Sequence, residues 1–133
     1  MIYKGKEYVV KMNGKEYHCA MDITMDYIGG KWKTVVLWYL IGKTLRFGEL
    51  KKLIPDITEK MLSIQLKNLE EDGLIKRKAY AEVPLRVEYS LTEFGQTLVP
   101  VLNLIAKWGR ELGEDKGQTI EVKDKKRSKV SVI

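Results

Sequence analysis

Residues 47–73 constrain the fold more than any other part of the chain. A short helical run over residues 47–54 is stopped by Pro55, because the residue before a proline disfavours helical geometry. Thr58 is a good N-cap for a second helix that reaches about Asp72 and is ended by a glycine. Two short helices joined by a tight proline-containing link, the second longer and amphipathic, are typical of a helix-turn-helix.

The second helix is predicted to have an anchoring face and a reading face. At about 100° per residue, Leu62, Leu66 and Leu69 fall together on one side. On the other side lysine can bind phosphate or guanine, serine and asparagine can bond to base edges, and an apolar side chain can touch a thymine methyl. The pattern alone also fits an ordinary amphipathic surface helix. The candidate DNA contacts of this helix are Thr58, Lys60, Met61, Ser63, Ile64, Lys67 and Asn68.

A basic hairpin is predicted directly after this helix. LIKRKAY and RVEYSL are strand-like runs separated by AEVPL, whose proline and acidic residue suit a loop tip. Such a hairpin, a wing, can lie along the phosphate backbone or enter the minor groove. A basic hairpin that is merely solvated is the alternative. The wing, residues 76–86, contains four basic residues and one acidic residue, Glu82, so its net charge is +3. The four basic residues are candidate DNA contacts: Lys76, Arg77, Lys78 and Arg86.

The remaining helices indicate an α+β fold that is mainly α. A short helix from about Asp22 to Ile28 is stopped by two glycines, and KWKTVVLWYLI is apolar on nearly every side, as in a core helix. Thr92 is expected to cap a last long helix to about Leu112, with a kink at Pro100. The apolar stripe of that helix consists of Phe94, Leu98, Val101, Leu102, Ile105, Trp108 and Leu112.

Residues 1–18 are predicted to form an N-terminal β-hairpin arm. Alternating apolar and polar residues flank Asn13-Gly14, a dipeptide favoured by two-residue type I′ turns. The apolar face of this hairpin must pack on the helical body or on a second subunit. The predicted pairs are Met12 with Lys15, Val10 with Tyr17, and Tyr8 with Cys19.

Composition limits the classes of function. The chain has 133 residues, 44% of them hydrophobic, and a formal net charge of +6, which fits one globular domain. The excess of basic residues lies in residues 1–18 and in residues 116–133, and residues 114–133 are expected to form a basic, mobile tail.

One cysteine and one histidine exclude an internal disulfide and a structural zinc site, so we expect no metal and no cofactor. There is no apolar run of membrane-spanning length and no signal peptide pattern at the start, which predicts a cytoplasmic protein that does not bind membranes.

Catalytic motifs are absent from the sequence. There is no nucleophile elbow, no phosphate-cradling glycine loop and no HExxH, and Gly29-Gly30-Lys31 is too short to cradle a phosphate. We therefore expect that the protein is not an enzyme. A winged helix that makes only protein contacts, or one that binds DNA without sequence preference, stays open, because a fold alone does not fix function.

A set of motifs lies in order within residues 19–112. They are Cys19, DYIGGKW at 26–32, RFGEL at 46–50, KML at 60–62, Leu66, Leu69-Glu70, DGL at 72–74, VP at 83–84 and VEYSLT at 87–92. In sequence and spacing they resemble the HxlR family of MarR-like winged helix-turn-helix transcriptional regulators. Ala20 departs from the proline that often follows the cysteine in that family, and the N-terminal hairpin and basic tail are additions to the common core.

The resemblance implies a bacterial or archaeal regulator that binds double-stranded DNA as a homodimer. A two-fold dimer is expected to bind a pseudo-palindromic operator, and a compact dimer without an activation surface is expected to be a repressor. Its winged-helix domain would span residues 19–113, with residues 58–69 as the recognition helix and the wing beside it. Arg46, within the RFGEL motif, joins the candidate DNA contacts. The terminal helices would build the dimer interface, for which the candidates are Ile23, Tyr27, Leu98, Leu102, Ile105 and Trp108.

Regulation by an effector is left open. In some members of the family the cysteine at this position senses oxidants or electrophiles, which makes Cys19 a candidate redox sensor. Its predicted pairing with Tyr8 instead favours a small buried hydrophobe, while Asp22 would disfavour the thiolate and Lys15 would favour it. Phe94 and Trp108 could line a pocket for an aromatic effector between dimer helices, or simply pack at the core and interface.

Overall fold

The computed structural model describes residues 2–122. In that range the fold is α+β and mainly helical, and three antiparallel hairpins are formed, β1 with β2, β3 with β4 and β5 with β6. The elements are β1 (Ile2–Tyr3), β2 (Lys6–Glu7), β3 (Val10–Met12), β4 (Lys15–Tyr17), α1 (Ala20–Ile28), α2 (Lys33–Leu40), α3 (Phe47–Leu53), α4 (Glu59–Glu71), β5 (Ile75–Tyr80), β6 (Arg86–Leu91), α5 (Glu93–Gln96) and α6 (Val99–Lys116).

Helix α2 lies at the centre of the molecule, as its apolar sequence predicts. It packs against α3, α4, α6 and β6, and its residues Val36, Leu37 and Leu40 are at most 1% exposed. A helix that contacts neighbours on several sides must be apolar on several sides. The core formed around α2 fixes the positions of the helix-turn-helix and of the last helix.

The C-terminal region differs from the single kinked helix that we expected. Thr92 caps only the short helix α5, where its Oγ1 accepts a hydrogen bond of 3.0 Å from the Gly95 amide. Pro100 is the second residue of α6 and not an interior residue. A proline in the first turn costs little because that turn has no intrahelical acceptor for the missing N–H group. Pro100 therefore starts a new helix instead of kinking an existing one.

The boundary of the C-terminal tail also changes. Helix α6 continues to Lys116, so residues 114–116, which were assigned to the tail, belong to the helix. Residues 117–122 have no regular secondary structure. The prediction of a mobile, basic tail falls mainly on residues 123–133, which lie outside the described residues.

The predicted turn at Asn13-Gly14 is confirmed. β3 and β4 pair across it with Val10 opposite Tyr17 and with Met12 opposite Lys15. Both turn residues have positive φ, 54° for Asn13 and 74° for Gly14, as a type I′ turn requires.

The predicted pairing of Tyr8 with Cys19 is wrong. The β3-β4 ladder does not extend beyond Val10 and Tyr17, and residues 2–7 form the separate β1-β2 hairpin instead. Cys19 directly precedes α1 and is exposed, so the burial that the pairing implied is also wrong. A periodic pattern gives the phase of a strand but not the residue at which the strand ends, which explains both errors.

Polar contacts join the β3-β4 hairpin to α1. The Asp26 carboxylate accepts a hydrogen bond of 2.5 Å from the Tyr17 hydroxyl and one of 3.0 Å from the Lys15 ammonium group. These two donors hold the pKa of Asp26 below its usual value. The hydrogen bond from Tyr17 to Asp26 raises the pKa of Tyr17 to about 12, because only the neutral phenol can donate it. Tyr17 is itself only 7% exposed, so the hairpin is packed as well as hydrogen-bonded.

Candidate nucleic-acid interface

Apolar residues anchor the turn between α3 and α4. Ile54 and Ile57 are 4% and 2% exposed, and the Ile57 amide donates a hydrogen bond of 3.3 Å to the Ile54 carbonyl. The Lys51 ammonium group donates to the Pro55 carbonyl at 3.2 Å. Because the turn is buried at both ends, the orientation of α4 relative to α3 is fixed by the core.

Thr58 is the N-cap of α4, as predicted. Its Oγ1 accepts a hydrogen bond of 3.0 Å from the Met61 amide, one of the donors that a helix start leaves unpaired. Glu59 in the first turn adds a negative charge at the positive end of the helix dipole. The start of the candidate recognition helix is therefore well defined.

The two faces of α4 are those expected from the sequence. Leu62, Leu66 and Leu69 are at most 2% exposed and attach the helix to the core. The opposite side carries an exposed stripe at spacings of three and four residues, so its members lie along one line on the surface. This α4 stripe consists of Lys60, Ser63, Ile64 and Lys67, all exposed.

Two further candidates of α4 lie at the edge of this stripe. Met61 is half-buried and packs against the core, and its sulfur accepts a hydrogen bond of 3.2 Å from the Gln65 side-chain amide. Asn68 is also half-buried. Both therefore have less surface for a partner than the members of the α4 stripe.

The wing follows α4 as predicted. β5 and β6 pair from Ile75 opposite Leu91 to Tyr80 opposite Arg86. Leu45 joins this hairpin through two backbone hydrogen bonds to Tyr89, of 3.0 and 2.8 Å. These bonds tie the residues that precede α3 to the base of the wing.

Arg46 is the N-cap of α3 and lies next to this junction. Its backbone amide donates a hydrogen bond of 2.9 Å to the Glu49 carboxylate, which fixes the first turn of α3. The Arg46 residue is exposed. The structure thus brings the predicted contact Arg46 close to the wing.

The basic residues of the wing are divided between its two faces. Successive side chains of a strand point to opposite sides, and directly paired residues share a side. Lys76 and Lys78 therefore lie on the same face as Arg86, whereas Arg77 lies on the face of Tyr89. The four basic residues, which were expected to act as one group, therefore point in two directions.

Tyr80 is a residue that sequence reasoning missed. The guanidinium carbon of Arg86 lies 3.8 Å from the centre of the Tyr80 ring, and the Lys78 nitrogen lies 5.0 Å from it. Cations at such distances are attracted by the face of an aromatic ring. The signal was present, since Lys78 and Tyr80 are two residues apart on one strand and Tyr80 pairs directly with Arg86.

Among the dimer-interface candidates, the prediction for Leu102 is wrong. It is 2% exposed and belongs to the core of its own chain, so it offers no surface to a partner. Leu98 is half-buried and packs against that core. In contrast, Ile105 and Trp108 are 47% and 68% exposed, and the neighbouring Leu104 is 68% exposed.

Ile23 and Tyr27, the candidates from α1, are half-buried beside an apolar cavity. The cavity has a volume of about 260 Å³ and also has Met12, Phe94 and Leu98 in its walls. The Tyr27 and Phe94 rings meet edge to face, with 5.7 Å between their centres. Phe94 thus contacts α1 of its own chain, which accounts for part of its packing without a partner.

Two further properties concern residues 2–122 only. No cluster of three or more histidine, cysteine, aspartate or glutamate side chains in this range is arranged to hold a metal ion. None of the helices in this range combines the length and the apolar character needed to cross a membrane.

A family model described as HxlR-like helix-turn-helix matches residues 27–117. This range includes every candidate DNA contact and excludes the N-terminal hairpins. The HTH-type transcriptional regulator YdeP of Bacillus subtilis is 46% identical to this chain over 112 residues, which are 84% of this chain and 87% of YdeP.

Two solved structures show the same fold. The redox regulator HypR in its oxidized form has a TM-score of 0.68 and 42% identity, covering 76% of this chain and all of that one. The HTH-type transcriptional regulator ytcD has a TM-score of 0.66 and 45% identity, covering 70% of this chain and 95% of that one. The matched proteins are regulators and not enzymes. This chain therefore belongs to the HxlR-like helix-turn-helix family.

Proposed function

We propose that this protein is a transcriptional regulator that binds specific sequences of double-stranded DNA as a homodimer, with α4 in the major groove. The observation that carries the proposal is the α4 stripe. Three side chains able to bond to phosphate or bases and one apolar side chain are exposed on a helix whose other face is held in the core. A rigid helix that presents such side chains is suited to reading base edges.

The wing supplies contacts that do not depend on sequence. Lys76 and Lys78 are exposed on one face of the hairpin, and Arg46 lies near its base. Contacts of lysine and arginine with phosphate fix the position of a protein on the duplex but carry no sequence information. Arg77, on the other face, would meet phosphate only if the wing lies edge-on against the backbone or enters the minor groove.

The partner in the dimer is a second copy of this chain, bound through α6. Leu104, Ile105 and Trp108 form an exposed apolar strip on that helix, and such strips mark interaction surfaces. A two-fold dimer would place its two recognition helices about 34–36 Å apart, in successive major grooves of a pseudo-palindromic operator. We expect the dimer to repress transcription in the cytoplasm by occupying this operator.

A redox response at Cys19 is a second part of the proposal. Two observations favour it: Cys19 is exposed, and the similar protein HypR is named a redox regulator. Intact-mass analysis after mild diamide treatment would detect an adduct or an intersubunit disulfide. A thiol that stays unmodified under these conditions would exclude the response.

Variants of the α4 stripe and of the wing test the proposal. Lys60→Ala should reduce the preference for the operator over a scrambled duplex, whereas Lys78→Ala should weaken binding to both duplexes alike. Lys11→Ala, which removes an exposed lysine of β3, is the matched control and should leave both affinities unchanged. Fluorescence anisotropy of labelled duplexes gives the affinities. If Lys60→Ala and Lys78→Ala both behave like Lys11→Ala, the assignment of helix and wing is wrong.

A further inference from the structure

Three side chains near the tip of the wing form a cluster. The Arg86 guanidinium lies against the Tyr80 ring at 3.8 Å, and one of its terminal nitrogens lies 3.2 Å from a carboxylate oxygen of Glu82. The ring covers one side of the guanidinium and the carboxylate meets its edge. Arg86 is therefore held in one place in the free protein.

The backbone also fixes the position of Glu82, whose carboxylate is the acceptor in this cluster. The Glu82 amide donates a hydrogen bond of 2.8 Å to the Tyr80 carbonyl, and Tyr80 is paired with Arg86 across the hairpin. The Glu82 side chain is 53% exposed and that of Arg86 is 29% exposed. The ion pair is thus at the surface, on the face that also presents Lys76 and Lys78.

A carboxylate and a phosphate compete for the same donors of a guanidinium group, because both accept its paired N–H groups in similar geometry. In the wing, a Glu82 carboxylate oxygen already pairs with a terminal nitrogen of Arg86 that a DNA phosphate would otherwise bind. A phosphate that approaches Arg86 must also come close to the charge of Glu82. Both effects oppose binding and neither depends on the base sequence.

We propose that Glu82 is an internal competitor for DNA phosphate, which holds Arg86 in the free protein and lowers the affinity for every duplex by the same factor. The inference rests on the proposed function, since it needs the wing to meet DNA. Its consequence is that contacts of the α4 stripe must supply the binding energy that the wing withholds. The time spent on the operator and on unrelated DNA would fall by the same factor, so the ratio of the two affinities would stay unchanged.

Glu82→Gln tests the inference, because it removes the charge and keeps the size of the side chain. An exposed ion pair is worth little, so the dissociation constants for an operator duplex and for a scrambled duplex should both fall by about two- to fivefold. The plot of log affinity against log salt concentration should steepen by up to about 0.9, the effect of one more phosphate neutralised. Glu114→Gln, which gives the same change in net charge at an exposed position of α6, should change neither quantity.

The role of Arg86 is tested by repeating Glu82→Gln in an Arg86→Ala background. The gain in affinity should disappear there, because the group for which carboxylate and phosphate compete is gone. A gain that persists without Arg86, or an equal gain from Glu114→Gln, would show a general effect of charge and overturn the inference. If the wild type binds DNA and Glu82→Gln does not bind more tightly, the inference alone fails. If the wild type binds neither duplex, the proposed function fails.

Discussion

The hydroxyl group of Tyr17, in β4, donates a hydrogen bond of 2.5 Å to the Asp26 carboxylate, in α1. This bond connects a hairpin that lies outside the matched family range to the helix that enters that range. The Lys15 ammonium group reaches the same carboxylate at 3.0 Å. The β3-β4 hairpin is therefore held against α1 by side-chain contacts as well as by the connecting chain.

This connection predicts how stability depends on pH. The pKa of Asp26 is lowered in the folded protein, so its contribution is complete above its unfolded pKa of about 3.8 and is lost as the pH falls through the folded value. The pKa of Tyr17 is raised to about 12, so its contribution is complete below its unfolded pKa of 10.0 and is lost as the pH rises from there through about 12. Urea unfolding of Tyr17→Phe should show a lower midpoint at neutral pH, and a smaller further loss on acidification, than the wild type. Parallel pH profiles for the wild type and Tyr17→Phe would contradict this account. Tyr39→Phe, which also removes a tyrosine hydroxyl group, is the control and should keep the pH profile of the wild type.

Thr58→Ala should destabilise the fold by about 1 kcal/mol, the usual cost of losing an N-cap side chain. The physical reason is that the Met61 amide loses its acceptor at the start of α4. Thr58→Ser keeps the hydroxyl group and should stay close to the wild type in chemical denaturation. Equal losses for both variants would mean that the methyl group, and not the cap, matters.

Gly95→Ala should destabilise the protein by about 1–3 kcal/mol, the cost typical of inserting a group into a filled space. A Cβ atom at Gly95 would lie 2.1 Å from the Leu74 carbonyl oxygen, which belongs to the backbone and cannot swing away. Gly48→Ala is the matched control in α3, where a Cβ atom would meet nothing within 4 Å. It should leave stability unchanged or raise it by up to about 1 kcal/mol. Similar losses at both glycines would contradict the packing that the structure shows between α5 and Leu74, the residue before β5.

Trp108→Ala should weaken the proposed dimer. The Trp108 side chain is 68% exposed in the single chain, and truncating an aromatic residue at the centre of an interface raises the dissociation constant on the order of 30-fold. Sedimentation velocity over a range of concentrations would measure the shift towards monomer. Arg110→Ala, at another exposed position of α6, should leave the dimer intact. A wild-type protein that stays monomeric at all concentrations would exclude a dimer through α6.

The elements that could be predicted from the sequence are those with local signals. Thr58 and Pro55 mark the helix-turn-helix because capping and the steric effect of proline act within a few residues. The two turn residues Asn13 and Gly14 fix the β3-β4 register in the same way. The leucine face of α4 follows from helical periodicity alone.

The errors arose where the answer depends on packing. The broad apolar stripe of α6 serves two surfaces, so the sequence could not tell that Leu102 lies in the core and Trp108 at the surface. Pro100 fits a kink or a helix start equally well, and only the break between α5 and α6 decides between them. The exposure of Cys19 depended on where a ladder ends, which alternation does not encode.

The most direct test of the central claim is the anisotropy of labelled duplexes taken from the DNA that flanks the gene of this protein. The affinity for these duplexes is compared with the affinity for scrambled duplexes of equal length. The salt concentration is about 150 mM, at which binding without sequence preference is suppressed. A sequence-specific regulator should bind one flanking duplex at least about a thousandfold more tightly than its scrambled version. Equal, weak binding to both duplexes would contradict sequence-specific recognition by α4.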